Sequence, residues 1–177
     1  VEAFKKFLRK ENPWGPVRDW KVWKTIKLGT GLKTAGDFTK ALDAYGFTPS
    51  DWAKDLMSKA AFRSSVAPQE IEVNLVNVSV AELGFTAGAD LKDIYKRALE
   101  LGLSLCPAEV GPQLRFQYKE QPKDEWLRIA MEAIVSSDGY LDLFRVKRDG
   151  GDLYLGGDSG YPEDFCNGRG RFVFVRR

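Results

Sequence analysis

The strongest constraint on the fold is a change of hydrophobic period partway along the chain. Up to residue 102 most apolar residues recur at helical spacing, and from Gln113 onward they recur at every second position. Spacing of three and four gathers side chains on one face of a helix, whereas spacing of two gathers them on one face of a strand. Helices first and alternating strands afterwards predict an α+β protein, with N-terminal helices packed against a C-terminal, mainly antiparallel meander.

Local signals place the elements. Val1, Phe4, Phe7 and Leu8 share a helical face over residues 1–11, and Asn12-Pro13 and Gly15-Pro16 break the chain after it. Residues 21–28 set Val22, Trp23, Ile26 and Leu28 among lysines and predict a short strand. Thr34 reads as an N-cap with Asp37 three residues on; Phe38, Ala41, Leu42 and Tyr45 then form a stripe that Gly46 ends. Thr48-Pro49-Ser50-Asp51 opens another helix lined by Trp52, Leu56 and Ala60, and the two helices should pack as a hairpin. Residues 63–69 have linker composition. They divide a helical N-terminal region, 1–62, from an α+β region, 70–177, within one compact unit.

Beyond the linker, the parity of apolar residues switches from Ile71/Val73/Leu75 to Val76/Val78/Val80, as in a bulged strand or one buried on both faces. Leu91, Ile94, Tyr95, Ala98 and Leu99 make the most regular amphipathic helix, closed by Gly102. Strands are then predicted over 113–118, 125–134, 140–147, 153–155 and 171–176. A hairpin at Asp149-Gly150-Gly151-Asp152 and a long Gly/Asp-rich loop over 156–170 connect the last of them.

Composition excludes several chemistries. The 177 residues contain no histidine and only two cysteines, Cys106 and Cys166, without CxxC spacing. Ser-His-Asp and Cys-His catalysis is therefore ruled out, as is imidazole metal ligation. A catalytic site would have to use carboxylates, Lys, Tyr, a hard cation or a cofactor, and no cofactor or metal motif is present. A net charge of +2 is too small to imply nucleic acid by itself. No apolar run approaches membrane-span length, and the basic N-terminus lacks a signal-peptide core; these features predict a cytoplasmic protein without a membrane partner.

The segment VAELGFTAGADLKDIYKRALELGLSLCPAEVGPQLRFQYKEQPKDEWLRIAMEAI, residues 80–134, resembles a family of small uncharacterised bacterial proteins that carry an LCPAEVGPQLR-type motif. WKTIKLGTGLKTAGDF and the closing RFVFVRR resemble it too, so the likeness covers most of the chain. Phe116 stands where that pattern has an aliphatic residue, and Ala133 where it has proline. The family is similar to products of mobile integron gene cassettes. The resemblance implies a compact bacterial protein and brings no reaction, cofactor or substrate.

Within LCPAEVGPQLRFQY, Cys106 near a helix start is a candidate nucleophile, set against a buried packing cysteine. Glu82 and Glu109 are candidate acid–base or Mg²⁺-binding carboxylates, and the acidic late loop (Asp149, Asp152, Asp158, Glu163, Asp164) lacks EF-hand spacing. Read as a strand, the segment projects Gln113, Arg115 and Gln117 from one face. A simple hairpin adds Arg128 and Glu132, with Tyr118 and Trp126 at the flanks. This polar platform predicts a non-enzymatic module that binds a small polar ligand or a protein partner, with homo-oligomerisation also open. The alternatives are a nuclease or toxin-like enzyme using a metal or Lys/Arg/Tyr, and a single-stranded nucleic-acid binder using Trp20, Trp23, Lys21, Lys24 and Lys27.

Overall fold

The computed structural model describes residues 18–177, so the predicted helix over 1–11 and the basic N-terminus lie outside the described residues. Strand β1 (Lys24–Leu28) is followed by helix α1 (Ala35–Ala44), a short β2 (Thr48–Pro49), and helices α2 (Asp51–Ser58) and α3 (Ala60–Ser65). Strand β3 (Ile71–Ser79), the two-residue β4 (Ala89–Asp90), helix α4 (Leu91–Glu100), β5 (Leu103–Ser104) and helix α5 (Val110–Gln117) come next. The rest is β6 (Trp126–Ile129), β7 (Ile134–Val135), β8 (Leu141–Asp149), β9 (Asp152–Ser159), β10 (Phe165–Cys166) and β11 (Arg171–Arg176).

The helix starts obey local chemistry. The Thr34 hydroxyl accepts from Asp37 N–H at 3.1 Å while the Asp37 carboxylate accepts from Thr34 N–H at 2.9 Å, a reciprocal box that satisfies two otherwise orphaned donors of α1. Those hydrogen bonds hold the Asp37 carboxyl below its ordinary pKa. Ser50 caps α2 through Ala53 N–H at 3.1 Å. Lys59 then adopts an extended conformation and splits the second predicted helix into α2 and α3. Ala53, Leu56 and Met57 form the buried stripe of α2; Trp52, expected on that stripe, is instead exposed.

The protein is a mixed α/β fold around one large, mostly antiparallel sheet of order β1-β3-β11-β6-β8-β9-β2, with β5 also on β11 and β7 on β8. The sheet is not the predicted meander. β11 lies in the middle of the sheet, antiparallel to β3 and parallel to β6, and β2 pairs with β9 in parallel. Strand β1, from the N-terminal region, runs antiparallel to β3 along the edge. Leu75 and Val76 are both buried, so the parity switch in β3 marks a strand covered on two faces. The predicted strand 125–134 is interrupted after Ile129, and the predicted late loop begins only after β9 ends at Ser159.

One contiguous core joins helices and sheet. Phe38 of α1, Phe62 of α3 and Phe144 of β8 meet edge-to-face with centroids 5.2 and 5.8 Å apart. No helix among the described residues is long and apolar enough to cross a membrane.

Candidate functional site

Residues 113–117 form the C-terminal part of helix α5, not a strand, and this relocates the predicted platform. The pattern Gln-x-Arg-x-Gln fits both periods, because residues i and i+4 share a face in a helix as they do in a strand. The middle residue discriminates: at 100° per residue Arg115 turns away from both glutamines. Pro112 is compatible with the helix because the first-turn N–H groups have no intrahelical partner. Gly111 sits against Phe144, where an added Cβ would lie 2.6 Å from the ring, so only glycine lets α5 approach β8 this closely.

Each polar side chain of α5 has a defined role. Gln117 donates to Lys27 C=O and accepts from Lys27 N–H, both at 2.8 Å, so its amide pairs with the free edge of β1 as a neighbouring strand would. Gln113 donates to Thr30 Oγ1 at 2.8 Å and to Glu109 Oε1 at 3.0 Å. Glu109, fully buried, also accepts from Gly29 N–H at 2.8 Å and Ala67 N–H at 2.7 Å. It ties the loop after β1 to the segment after α3. Gly29 has φ +66°, and a Cβ there would meet the Gln69 carbonyl, so this loop also requires glycine.

Arg115 is fully buried on the opposite side of the helix. It donates to Gln121 Oε1 at 2.7 Å, to Lys147 C=O at 3.3 Å and to the Tyr118 carbonyl. Burial lowers its pKa to about 10, which still leaves it cationic at neutral pH. Tyr118 is buried too, donating to Glu125 Oε2 at 2.9 Å and packing edge-on to Trp23. Burial pushes its phenol pKa upward.

The seven residues expected to form one platform therefore sit in separate places. Gln113 and Gln117 line a cleft of about 470 Å³ between α1, α5 and the end of β1. Arg115 and Tyr118 are buried. Trp126 and Arg128 line a second cleft, of about 390 Å³, on the outer side of β6 and β8. Glu132 is exposed beside a third, of about 320 Å³, that also reaches Cys106.

The remaining candidates resolve into structural roles. Cys106 is buried with its thiol donating to Val173 C=O at 3.3 Å, and desolvation raises its pKa strongly, opposite to what a nucleophile needs. Glu82 accepts from Ser79 N–H at 2.7 Å and faces Arg171, sharing no partner with Glu109. In the late acidic segment, Asp158 pairs with Arg128 at 2.7 Å, and Asp164 accepts from Tyr161 N–H at 2.9 Å. Among the described residues no three Cys, Asp or Glu side chains gather as a metal site requires. Trp20 is buried, donating to Leu101 C=O at 2.9 Å, so it offers no surface for stacking.

The cleft between α1 and α5 has the simplest chemistry. Leu32, Ala41, Tyr45 and Phe116 supply an aliphatic and aromatic floor, and among the described residues that line it Lys27 and Lys119 are the formally charged ones. Lys27 pairs with Glu70 at 2.8 Å. Lys119 has no carboxylate within 4 Å among the described residues and lies 5.0 Å from the Tyr45 ring centroid. Tyr45 is 61% exposed, although it falls on the predicted stripe of α1. It stacks on Phe47 at 6.0 Å and meets Phe116 edge-on at 5.8 Å. Sequence reasoning missed Tyr45 and Lys119; the signal was a large aromatic directly before Gly46, at a helix end where side chains leave the core.

Comparison of the chain with protein-family models, with curated proteins and with solved structures yields no match.

Proposed function

We propose that this protein is a non-enzymatic binding module whose ligand has an apolar, planar body and an anionic head, held in the cleft between α1 and α5. The observation that carries the reading is the sign of the charge: the floor is aromatic and aliphatic, and both charged groups lining it are cationic. A cleft of about 470 Å³ falls in the range that small molecules occupy. The body would lie against the Tyr45 and Phe116 rings, and Lys119 would meet the anion. Gln113 and Gln117 shape the wall, since their amides are committed to Thr30, Glu109 and Lys27.

The test is a thermal-shift series with benzoate and phenylacetate against benzamide and phenylacetamide. A ligand with Kd near 1 mM, supplied at about 10 mM, stabilises the folded state by roughly 1.4 kcal/mol. At this chain length that raises Tm by about 3–5 °C. The acids should shift Tm and the amides should not, and Lys119→Glu should remove the difference. Equal shifts from acid and amide, or none from any of the four, would overturn the reading.

A further inference from the structure

The second cleft points elsewhere. Cross-strand register places Trp126, Lys147 and Tyr154 in one row over β6, β8 and β9, and Arg128, Arg145 and Gly156 in the next. Residues in register share a face, so aromatic rings and cations alternate on the side of the sheet opposite the buried Leu127, Val146 and Leu155. Trp126 is 51% exposed. Arg145 lies 4.4 Å from its centroid, and Lys147 lies 5.3 Å from Trp126 and 5.1 Å from Tyr154. Asp158 is shared between Arg128 at 2.7 Å and Arg145 at 3.5 Å, leaving that trio net positive, while Asp149 pairs with Lys147 at 3.3 Å and Asp152 accepts from the Tyr154 hydroxyl at 3.2 Å. Gly156 keeps the second row flat beside the arginines. Arg169 and Arg171 continue the positive rim, opposite Asp124 and Glu125.

We propose that this face is a stacking platform for single-stranded nucleic acid, independent of the small-molecule cleft. Bases have π-faces that stack on exposed indole and phenol rings and on guanidinium planes, while the backbone between them carries the charge that Lys147 and the arginines meet. The geometry favours this occupant over an acidic protein surface, because a carboxylate peptide would use the cations but not the exposed Trp126 face. A duplex is disfavoured for the same reason: its bases are already stacked.

The experiment is fluorescence anisotropy of labelled dT12 and U12 with the full chain at 50 and 200 mM NaCl. Four phosphate contacts predict a log–log salt slope near −3, so affinity should fall roughly fiftyfold over that range. Trp126→Ala should weaken binding by roughly five- to a hundredfold. Trp126→Phe should keep most of it, which separates stacking from misfolding, and Lys119→Glu in the other cleft should change it little. Absence of binding at 50 mM, full affinity in Trp126→Ala, a 12-base-pair duplex bound as tightly as dT12, or a polyglutamate peptide competing as well as unlabelled dT12 would each overturn the proposal.

Discussion

Replacing Glu109 with Gln changes two atoms' chemistry and almost no volume, which makes it a clean probe of the buried carboxylate. One oxygen, Oε1, accepts from Gly29 N–H and from Gln113 Nε2; the other, Oε2, accepts from Ala67 N–H. A glutamine has one acceptor oxygen. Placed where it serves Gly29 and Gln113, it turns its NH₂ toward Ala67 N–H, donor against donor. The Ala67 hydrogen bond to a charged group, worth about 1.5–3 kcal/mol, is lost, and a donor left without an acceptor adds about 1–3 kcal/mol. Two surviving bonds also weaken from charged to neutral. The expected loss is about 3–5 kcal/mol, a large share of the roughly 5–15 kcal/mol that holds a typical domain together. Urea denaturation reads it as a lower midpoint with unchanged slope. Hydrogen exchange should show the Gly29 and Ala67 amides losing protection before the centre of the sheet does. A change below about 0.5 kcal/mol would refute the assignment of Glu109 as the tie between the two loops.

Five further outcomes are expected, one of them a control. Gly111→Ala gains up to about 1 kcal/mol of helix propensity but forces a methyl into Phe144, and the clash should prevail with a net loss of about 1–2 kcal/mol. Gly151→Ala, in open space, is the control and should stay within about 0.5 kcal/mol by the same denaturation assay. Arg115→Met should cost roughly 2–5 kcal/mol, because the Tyr118 and Lys147 carbonyls lose their donor in a buried setting. Hydrogen bonds from Ser137, with Lys59 nearby, hold the Asp55 carboxyl below its ordinary value of 3.8. A depressed folded-state pKa gives stability that is present above the unfolded value and lost as pH falls through the folded one. Tm should therefore decline as pH falls through and below that ordinary value, less steeply in Asp55→Asn. Both cysteines are buried with raised pKa values, so a colorimetric disulfide reagent at pH 8 should label the native protein slowly and the urea-unfolded chain at once.

What the sequence made legible was chemistry acting over a few residues. The Thr34–Asp37 box, the Ser50 cap, the Leu91, Ile94 and Ala98 part of the α4 stripe and the turn between β8 and β9 follow from neighbours in the chain and stand where local reasoning puts them, whereas Leu99, expected on that stripe, is exposed. Helix α5 was misread because its side chains satisfy both periods. The decision rests on Gly111 meeting Phe144 and Arg115 meeting the Lys147 carbonyl, contacts 33 and 32 residues apart that no local pattern encodes. Sheet order was hidden for the same reason. The alternation in β11 announces a strand, but nothing within RFVFVR says that its neighbours are β3 and β6. The segment LCPAEVGPQLRFQY anchors the fold through Glu109 and Arg115, and Gln113 and Gln117 reach the cleft between α1 and α5 from the same helix.

The central position of β11 has a consequence for how the protein comes to be folded at all. Its partners β3, β5 and β6 emerge from the ribosome long before Arg171–Arg176 is made, and until then β3 and β6 face each other across a gap one strand wide. Such a nascent chain holds two unsatisfied sheet edges, one of them running into the exposed indole of Trp126. Closure must wait for β11, and the contacts it then makes with β3 join residues roughly a hundred positions apart, which slows the search. For this protein the vulnerable period is the one before β11 arrives, when any other extended segment of suitable sequence can take the vacant place.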